Sequence, residues 1–183
     1  MDPKVYITPI KTDHIQRYIY FSKDPELINA MGWGPFESHE EQLFIDAVSK
    51  PSLPLFSYDY SILYSIITVN DNVPIGFISL KGIDWDSAKA ELDIAICDNQ
   101  YRSSGYGSEA LALAIDHAFN SLKLNFICLS VFPSNTKAIR VYEKIGFKHV
   151  EKLENSWTMP DGERVDMLVM AIRTYPMTRP SGC

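Results

Sequence analysis

The chain of 183 residues reads as an α/β fold: a mixed, twisted sheet of about seven strands with helices on both faces. Three observations predict it. Seven runs rich in β-branched and aromatic residues are separated by turn chemistry or by helical periodicity. One apolar run, Leu92 to Cys97, is followed by an amphipathic helix and a second β-type run, an order that implies a right-handed crossover and parallel pairing. Hydrophobic content of 46% and charged content of 22% are those of an ordinary globular protein, and the length suits one domain with a substantial core.

In chain order, residues 5–10 alternate well enough for a first strand. Thr12 is placed to cap a helix whose apolar face includes Ile15 and Ile19. A short helical segment over about 25–31 is broken by Gly32-Trp33-Gly34-Pro35. Ser38 and Glu41 have capping-box spacing, ahead of a helix carrying Leu43, Phe44 and Ala47 on one side. A loop at 51–54 leads to a strand over 60–69, and Asn70-Asp71-Asn72 turns it into a strand over 74–83, as a hairpin. The run 88–97 is apolar on both faces near its end, as in a central strand. Leu111, Ala114, Ile115, Ala118, Phe119 and Leu122 form the stripe of a helix packed on a sheet. A strand over 126–132 follows, then a short helix over 134–145 stopped by Gly146, the residue suited to a left-handed cap. Strands over 147–157 and 164–172 close the chain as a hairpin around Pro160-Asp161-Gly162. No repeat or linker divides residues 1–173, which are read as one domain, with 174–183 as a flexible tail.

Composition narrows the function classes. Net charge is −6 without a Lys/Arg-rich cluster, which argues against a nucleic-acid binder. No apolar run approaches a membrane span, and residues 1–10 lack the charged start and apolar middle of a signal peptide, so a soluble cytoplasmic protein is expected. Cys97, Cys128 and Cys183 lack CxxC spacing and give neither a disulfide framework nor a zinc site. Cys97 and Cys128 lie in apolar runs, where cysteine is commonly buried. The histidines are scattered, and no metal is expected.

Chemistry enters at Tyr101-Arg102-Ser103-Ser104-Gly105-Tyr106-Gly107-Ser108-Glu109-Ala110. A strand, a small-residue turn and a helix start together make a phosphate site, because the first helical N–H groups have no intrahelical partner and the macrodipole adds positive charge. The dinucleotide fingerprint wants a third glycine where this chain has Ala110, in an N-terminal unit. A P-loop wants Gly-Lys-Ser/Thr, which does not follow here.

The second motif is Asn135-Thr136-Lys137-Ala138-Ile139-Arg140-Val141-Tyr142-Glu143-Lys144-Ile145-Gly146-Phe147. With Arg102-Ser103-Ser104-Gly105-Tyr106-Gly107 it resembles the GNAT acyl-CoA N-acyltransferases, whose pattern is Arg/Gln-x-x-Gly-x-Gly/Ala, a strand, then Asn-x-x-Ala-x-x-x-Tyr-x-x-x-Gly-Phe. Every fixed position is met. The Gly146-Phe147 end and the Asp161-Gly162-Glu163 turn look most like the branch of ribosomal-protein N-terminal and polyamine acetyltransferases. The strong match covers about residues 90–172. Family members usually carry Gly, then Lys or Arg, at the positions of Ser103 and Ser104. A cation near the pyrophosphate is therefore missing, and Lys137 or Lys144 is a candidate replacement.

The resemblance implies a GNAT-like splay between two central parallel strands, where acetyl-CoA enters between Cys97 and Val131. It places backbone groups of Ala95, Ile96 and Cys97 against the pantetheine arm, as in strand addition. It places Arg102 and the amides of Ser103, Ser104, Gly105, Tyr106, Gly107 and Ser108 at the pyrophosphate. Asn135, Ala138 and Lys144 complete the cofactor set, and Tyr142 is the general acid for the leaving thiolate. Asn135 and Tyr142, seven apart, share a helix face. Either a carboxylate or a water chain must take the amine's proton: Glu91 is the first choice, and Asp93 shares its side of the strand. An acyl-cysteine at Cys97 is disfavoured, since no adjacent base is visible to make a thiolate. Acceptor recognition falls to residues 32–36, 49–56 and 157–164, where Trp33, Phe36, Phe56, Tyr58 and Trp157 are candidates for an aromatic wall, and Asp59, Asp161, Glu163 and Asp166 for steering an ammonium.

The expected activity is acetyl-CoA-dependent N-acetylation of a small amine, amino acid, polyamine or protein N-terminus. An acyl-CoA-binding regulatory domain without turnover and an aminoglycoside-modifying N-acetyltransferase are the alternatives. The oligomeric state stays open, a homodimer included.

Overall fold

The computed structural model describes residues 2–34, 41, 42, 45 and 61–174. Its strands are β1 (Val5–Pro9), β2 (Ile62–Thr68), β3 (Pro74–Asp84), β4 (Lys89–Ile96), β5 (Phe126–Val131), β6 (Lys148–Thr158) and β7 (Arg164–Arg173). Its longer helices are α1 (Thr12–Phe21), α2 (Pro25–Met31), α3 (Tyr106–Asp116) and α4 (Thr136–Ile145). The seven strands form one sheet in the order β1-β2-β3-β4-β5-β7-β6. The β4–β5 pair is parallel and every other pair antiparallel, so the crossover through α3 pairs its two strands as the strand–helix–strand order predicts.

The two sheet faces are covered by different helices. Leu92 on β4 belongs to the larger core with Ala110, Leu111 and Ala114 of α3 and Tyr142 of α4. The next residues along β4 alternate: Ala95 and Cys97 join Phe77 and Tyr18 of α1, with Leu27 and Met31 of α2 packed against them.

Local chemistry explains most boundaries. Pro25 opens α2 behind Asp24, whose carboxylate accepts from the N–H groups of Glu26 and Leu27, and Gly32 closes it in the left-handed conformation (φ 69°). Gly146 does the same for α4. Two expectations change. Thr12 is the first helical residue rather than the cap, and Lys11 holds the cap position without a side-chain cap bond. The third helix is regular only to Asp116; a wider turn over His117–Ser121 follows, with the Leu122 N–H donating to His117 O.

Ser38 of the expected capping box, the loop at 49–56, and Phe36, Phe56, Tyr58 and Asp59 lie outside the described residues, as do residues 175–183 of the expected tail.

Candidate active site

β4 and β5 pair over only three positions, Lys89–Phe126, Ala90–Ile127 and Glu91–Cys128. Beyond them β5 continues with β7 and β4 continues with β3. The strands therefore part, and a cleft of about 590 Å³ opens there. It runs from the glycine turn, past α4, to Glu91 and the aromatic residues at the end of α2.

At one end the turn before α3 is left-handed twice, at Ser103 (φ 59°) and Gly105 (φ 89°). A serine in this region costs about 1–2 kcal/mol that glycine avoids, which gives the Ser103 departure a conformational meaning. Gly105 is the N-cap of α3, and no side chain caps that end, so the first-turn N–H groups keep their capacity for an outside acceptor. Gly107 stands against β4: a Cβ there would lie 3.3 Å from Ile96 Cγ1. Ser103, Gly105, Gly107 and Ser108 line the cleft. Ser104 and Tyr106 are not among the cleft-lining residues. The Ser104 carbonyl accepts from Lys4 Nζ at 2.8 Å, and the same ammonium lies 5.5 Å from the Tyr106 ring centroid. Lys4 also anchors the helix start, its backbone N–H donating to Glu109 Oε1 at 2.7 Å. A cation does sit on the turn, contributed by Lys4 from a hundred residues away; of the two expected lysines, Lys137 lines the cleft.

Arg102 has its guanidinium committed inside the chain. It donates to Ile96 O at 2.8 Å and Cys97 O at 2.7 Å, and pairs with Asp24 at 3.3 Å and Glu26 at 3.2 Å. It braces the end of β4 against α2. The Cys97 N–H is also taken, by Ile75 O at 2.8 Å. Because antiparallel strands alternate the side to which backbone groups point, the groups of β4 directed into the parting are those of Ile94 and Ile96. Ala95 and Ile96 line the cleft, whereas Cys97 lies in a small apolar pocket under α1 and α2. Burial pushes the Cys97 thiol up to about 12, so it is no nucleophile at neutral pH. Cys128 is also buried, its sulfur 3.8 Å from Ala90 O.

Across the parting stands α4. Asn135 is its N-cap, the side-chain carbonyl accepting from the Ala138 N–H at 3.2 Å. That leaves the side-chain amide N–H groups for a ligand. Asn135, Lys137, Ala138, Val141 and Tyr142 line the cleft. Lys144 does not, contrary to expectation: two residues beyond Tyr142 it is turned about 200° around the helix, and it is exposed in the last turn. Tyr142 is 9% exposed, with its ring 5.8 Å from that of Phe147. Burial, and the Asp93 carboxylate after it, raise its hydroxyl to about 12.

The other end of the cleft is built on one face of the β3–β4 pair. The register sets Phe77 beside Ala95, Ser79 beside Asp93 and Lys81 beside Glu91. Lys81 Nζ lies 2.8 Å from Asp93 and 3.4 Å from Glu91, and Ser79 Oγ donates to Asp93 at 3.3 Å. Burial raises the Glu91 carboxyl, Lys81 pulls it back and Asp93 raises it again, leaving it above its ordinary value. Burial works against the charge on Lys81, but Asp93 and then Glu91 outweigh it, and the ammonium is held above its usual range. Trp33 stacks on Phe77, ring centroids 6.2 Å apart and 10° from parallel. Opposite, Trp157 donates from Nε1 to Gly32 O at 3.0 Å and meets Phe132 edge-on at 6.4 Å, which ties the end of α2 to the far side of the parting.

Sequence reasoning named Glu91, Asp93, Trp33 and Trp157 but missed Lys81 and Phe132. Lys81 meets Glu91 only because the register shifts between Lys81 and Asp84, so counting outward from the turn that joins β3 to β4 does not find it. Phe132 carries no local signal. Asp161 and Glu163, named for steering, are not among the cleft-lining residues; Asp166 instead pairs with Lys152 at 2.8 Å.

This combination of parted parallel strands, glycine turn and Asn–Tyr helix defines an acyltransferase fold. The acetyltransferase (GNAT) domain model matches residues 4–148, so the chain belongs to the GNAT family and is an N-acetyltransferase. It is 29% identical over 150 residues to an uncharacterised N-acetyltransferase, p20, of Bacillus licheniformis, covering 81% of each chain. It is 29% identical over 119 residues to the ribosomal protein bS18-alanine N-acetyltransferase of Haemophilus ducreyi, covering 57% of this chain and 79% of that one. The spermidine N-acetyltransferase of Vibrio cholerae, solved in complex with CoA and spermine, superposes with a TM-score of 0.80 at 20% identity, covering 94% of this chain and 96% of that one. No described helix is long and apolar enough to cross a membrane.

Proposed function

We propose that this protein transfers the acetyl group of acetyl-CoA to a primary amine by direct attack of the amine on the thioester. One observation carries the reading. The parting of β4 and β5 joins in a single cleft an uncapped helix N-terminus, a buried tyrosine hydroxyl and a carboxylate pair. The pyrophosphate meets the amides of the turn and the start of α3. The pantetheine arm lies along β4 as an added strand, against the backbone of Ile94 and Ile96, with the Asn135 amide on its other side.

The amine arrives mostly as an ammonium, since its pKa lies near 10. Glu91, the more basic for its burial, takes one proton directly or through a water. The neutral nitrogen attacks the thioester carbonyl carbon, the C–S bond breaks, the leaving thiolate takes the Tyr142 proton, and the proton shed by the acylated nitrogen returns to the Tyr142 oxygen, directly or through water, while Glu91 releases its own to solvent. A hydroxyl at about 12 keeps its proton until that moment. Cys97 takes no part.

The test is thiol release from acetyl-CoA against a panel of amines, amino acids, polyamines, peptides and aminoglycosides. One thiol per amide formed is the expected result. Saturable CoA binding without release for any amine would overturn the reading and leave a CoA-binding module.

A further inference from the structure

We infer that the acceptor site is built for a primary amine on a flat apolar body, aromatic or branched aliphatic, that carries no second cationic group. The inference rests on the acetyl-transfer reading and narrows its substrate class away from polyamines.

The charge balance of the cleft is the first ground. Among the described residues at this end, Lys81 bridges Glu91 and Asp93, so two carboxylates and one ammonium leave one net negative charge, enough for one incoming ammonium, and the remaining described lining lysine, Lys137, adds positive charge at the start of α4. The other described carboxylate on the lining, Glu26, is held by Arg102. A second or third ammonium on the same substrate would have to displace Lys81, a half-buried cation, or sit beside it, and like charges close together in a partly dry cleft repel strongly.

The second ground is what stands next to the trio. Ser79 and Phe77 are two residues apart on one face of β3, about 7 Å, so the Trp33–Phe77 stack begins where the carboxylates end, with Trp33 lining the cleft and Phe77 packed as its backing. Phe132 and Trp157 form the facing wall. Trp157 spends its indole N–H on Gly32 O, so this wall offers ring faces and edges. A substrate whose ammonium sits at Glu91 and Asp93 therefore extends its body between aromatic walls, which favours apolar carbon over hydrated charge.

The experiment compares 2-phenylethylamine with spermidine in the acetyl-CoA thiol-release assay, for the wild type, Lys81→Met and Trp33→Ala. Amine binding is read separately from tryptophan fluorescence. In the wild type, kcat/KM should favour 2-phenylethylamine by about tenfold or more. Lys81→Met frees two carboxylates and should move the ratio toward spermidine by about tenfold. Trp33→Ala should erode the ratio by loss of the aromatic amine alone, and it carries the test if Lys81→Met does not fold. Equal or better use of spermidine by the wild type would overturn the inference, as would a ratio unmoved in the folded variants. If no amine releases thiol, the acetyl-transfer reading fails by itself. The binding ratio then decides this inference: tighter binding of 2-phenylethylamine than of spermidine upholds it, and the reverse overturns it.

Discussion

The two ends of the cleft are made from different parts of the chain. At the turn before α3 the working groups are backbone amides, shaped by left-handed residues at 103 and 105 and by a glycine at 107 that lets the helix approach β4. At the other end the working groups are side chains, drawn from β3, β4, α2, α4 and the β6 edge, and held by one another through Lys81. The first kind of site tolerates replacement of its side chains, because the amides stay. The second depends on each side chain, because removing one leaves its partners buried and unpaired.

The sharpest way to separate the ends is Tyr142→Phe. It removes one oxygen from the side-chain end and leaves the ring packed on Phe147. If Tyr142 supplies the proton, kcat should fall by about 10²-fold or more, while the Kd for CoA stays within about twofold. Equal losses in both would make Tyr142 part of the cofactor seat, and unchanged kcat would remove it as the acid.

Glu91→Gln should act next most strongly, through pH. As a base, Glu91 works when ionised, so the wild-type rate should fall as pH drops through its pKa. Burial raises that pKa, which moves the acid limb up from where an ordinary glutamate would set it. In the variant the limb set by Glu91 should vanish, the rate at neutral pH should drop by about 10–10²-fold, and activity should recover only at higher pH, where the amine deprotonates unaided. An identical profile would move the role to Asp93 or to a water chain.

Gly32→Ala tests how the side-chain end is held together. The residue has φ 69°, and an added Cβ would stand 2.5 Å from Trp157 Nε1 and 2.6 Å from Phe132 Cζ. Backbone strain and the displaced indole together should cost about 2–3 kcal/mol of stability, seen as a lower midpoint in denaturant. The acceptor KM should rise and CoA affinity should hold, because the turn lies at the other end. A drop in CoA affinity as large as the rise in KM would show that the two ends are one unit.

Legibility follows the same division. The turn and the Asn135–Tyr142 helix are local patterns, so their residues, caps and spacing stand together in the chain and can be read there. The seven strands were readable for the same reason: each is its own run of β-branched residues between turn residues. The acceptor wall was readable only in fragments. Trp33 and Trp157 are 124 positions apart, and what joins them to Phe77 and Phe132 is sheet order and register, which no single segment encodes. Lys144 shows the local reading failing where geometry decides, since two residues on a helix reverse the direction of a side chain. Lys4 shows it failing at a distance: nothing near residue 4 announces that β1 will lie beside the start of α3.

Lys4 also supplies the finest test of the contrast. Ser104 stands where a basic residue is usual in the family, and the ammonium that meets this turn comes from behind it, bonded to Ser104 O and over the Tyr106 ring. From there it adds positive potential to the amides and fixes the turn against β1, without being a cleft-lining residue itself. If the cofactor end works through its backbone, Lys4→Met should weaken CoA binding only about two- to threefold at low ionic strength, the scale of an exposed charge. The difference from wild type should shrink as salt screens that charge. kcat at saturating acetyl-CoA should not change. A loss of 10²-fold would mean that the turn needs its cation as much as the acceptor end needs Lys81. A salt-independent loss would assign Lys4 to holding the turn's shape, since a hydrogen bond to a carbonyl survives ionic strength that long-range charge does not.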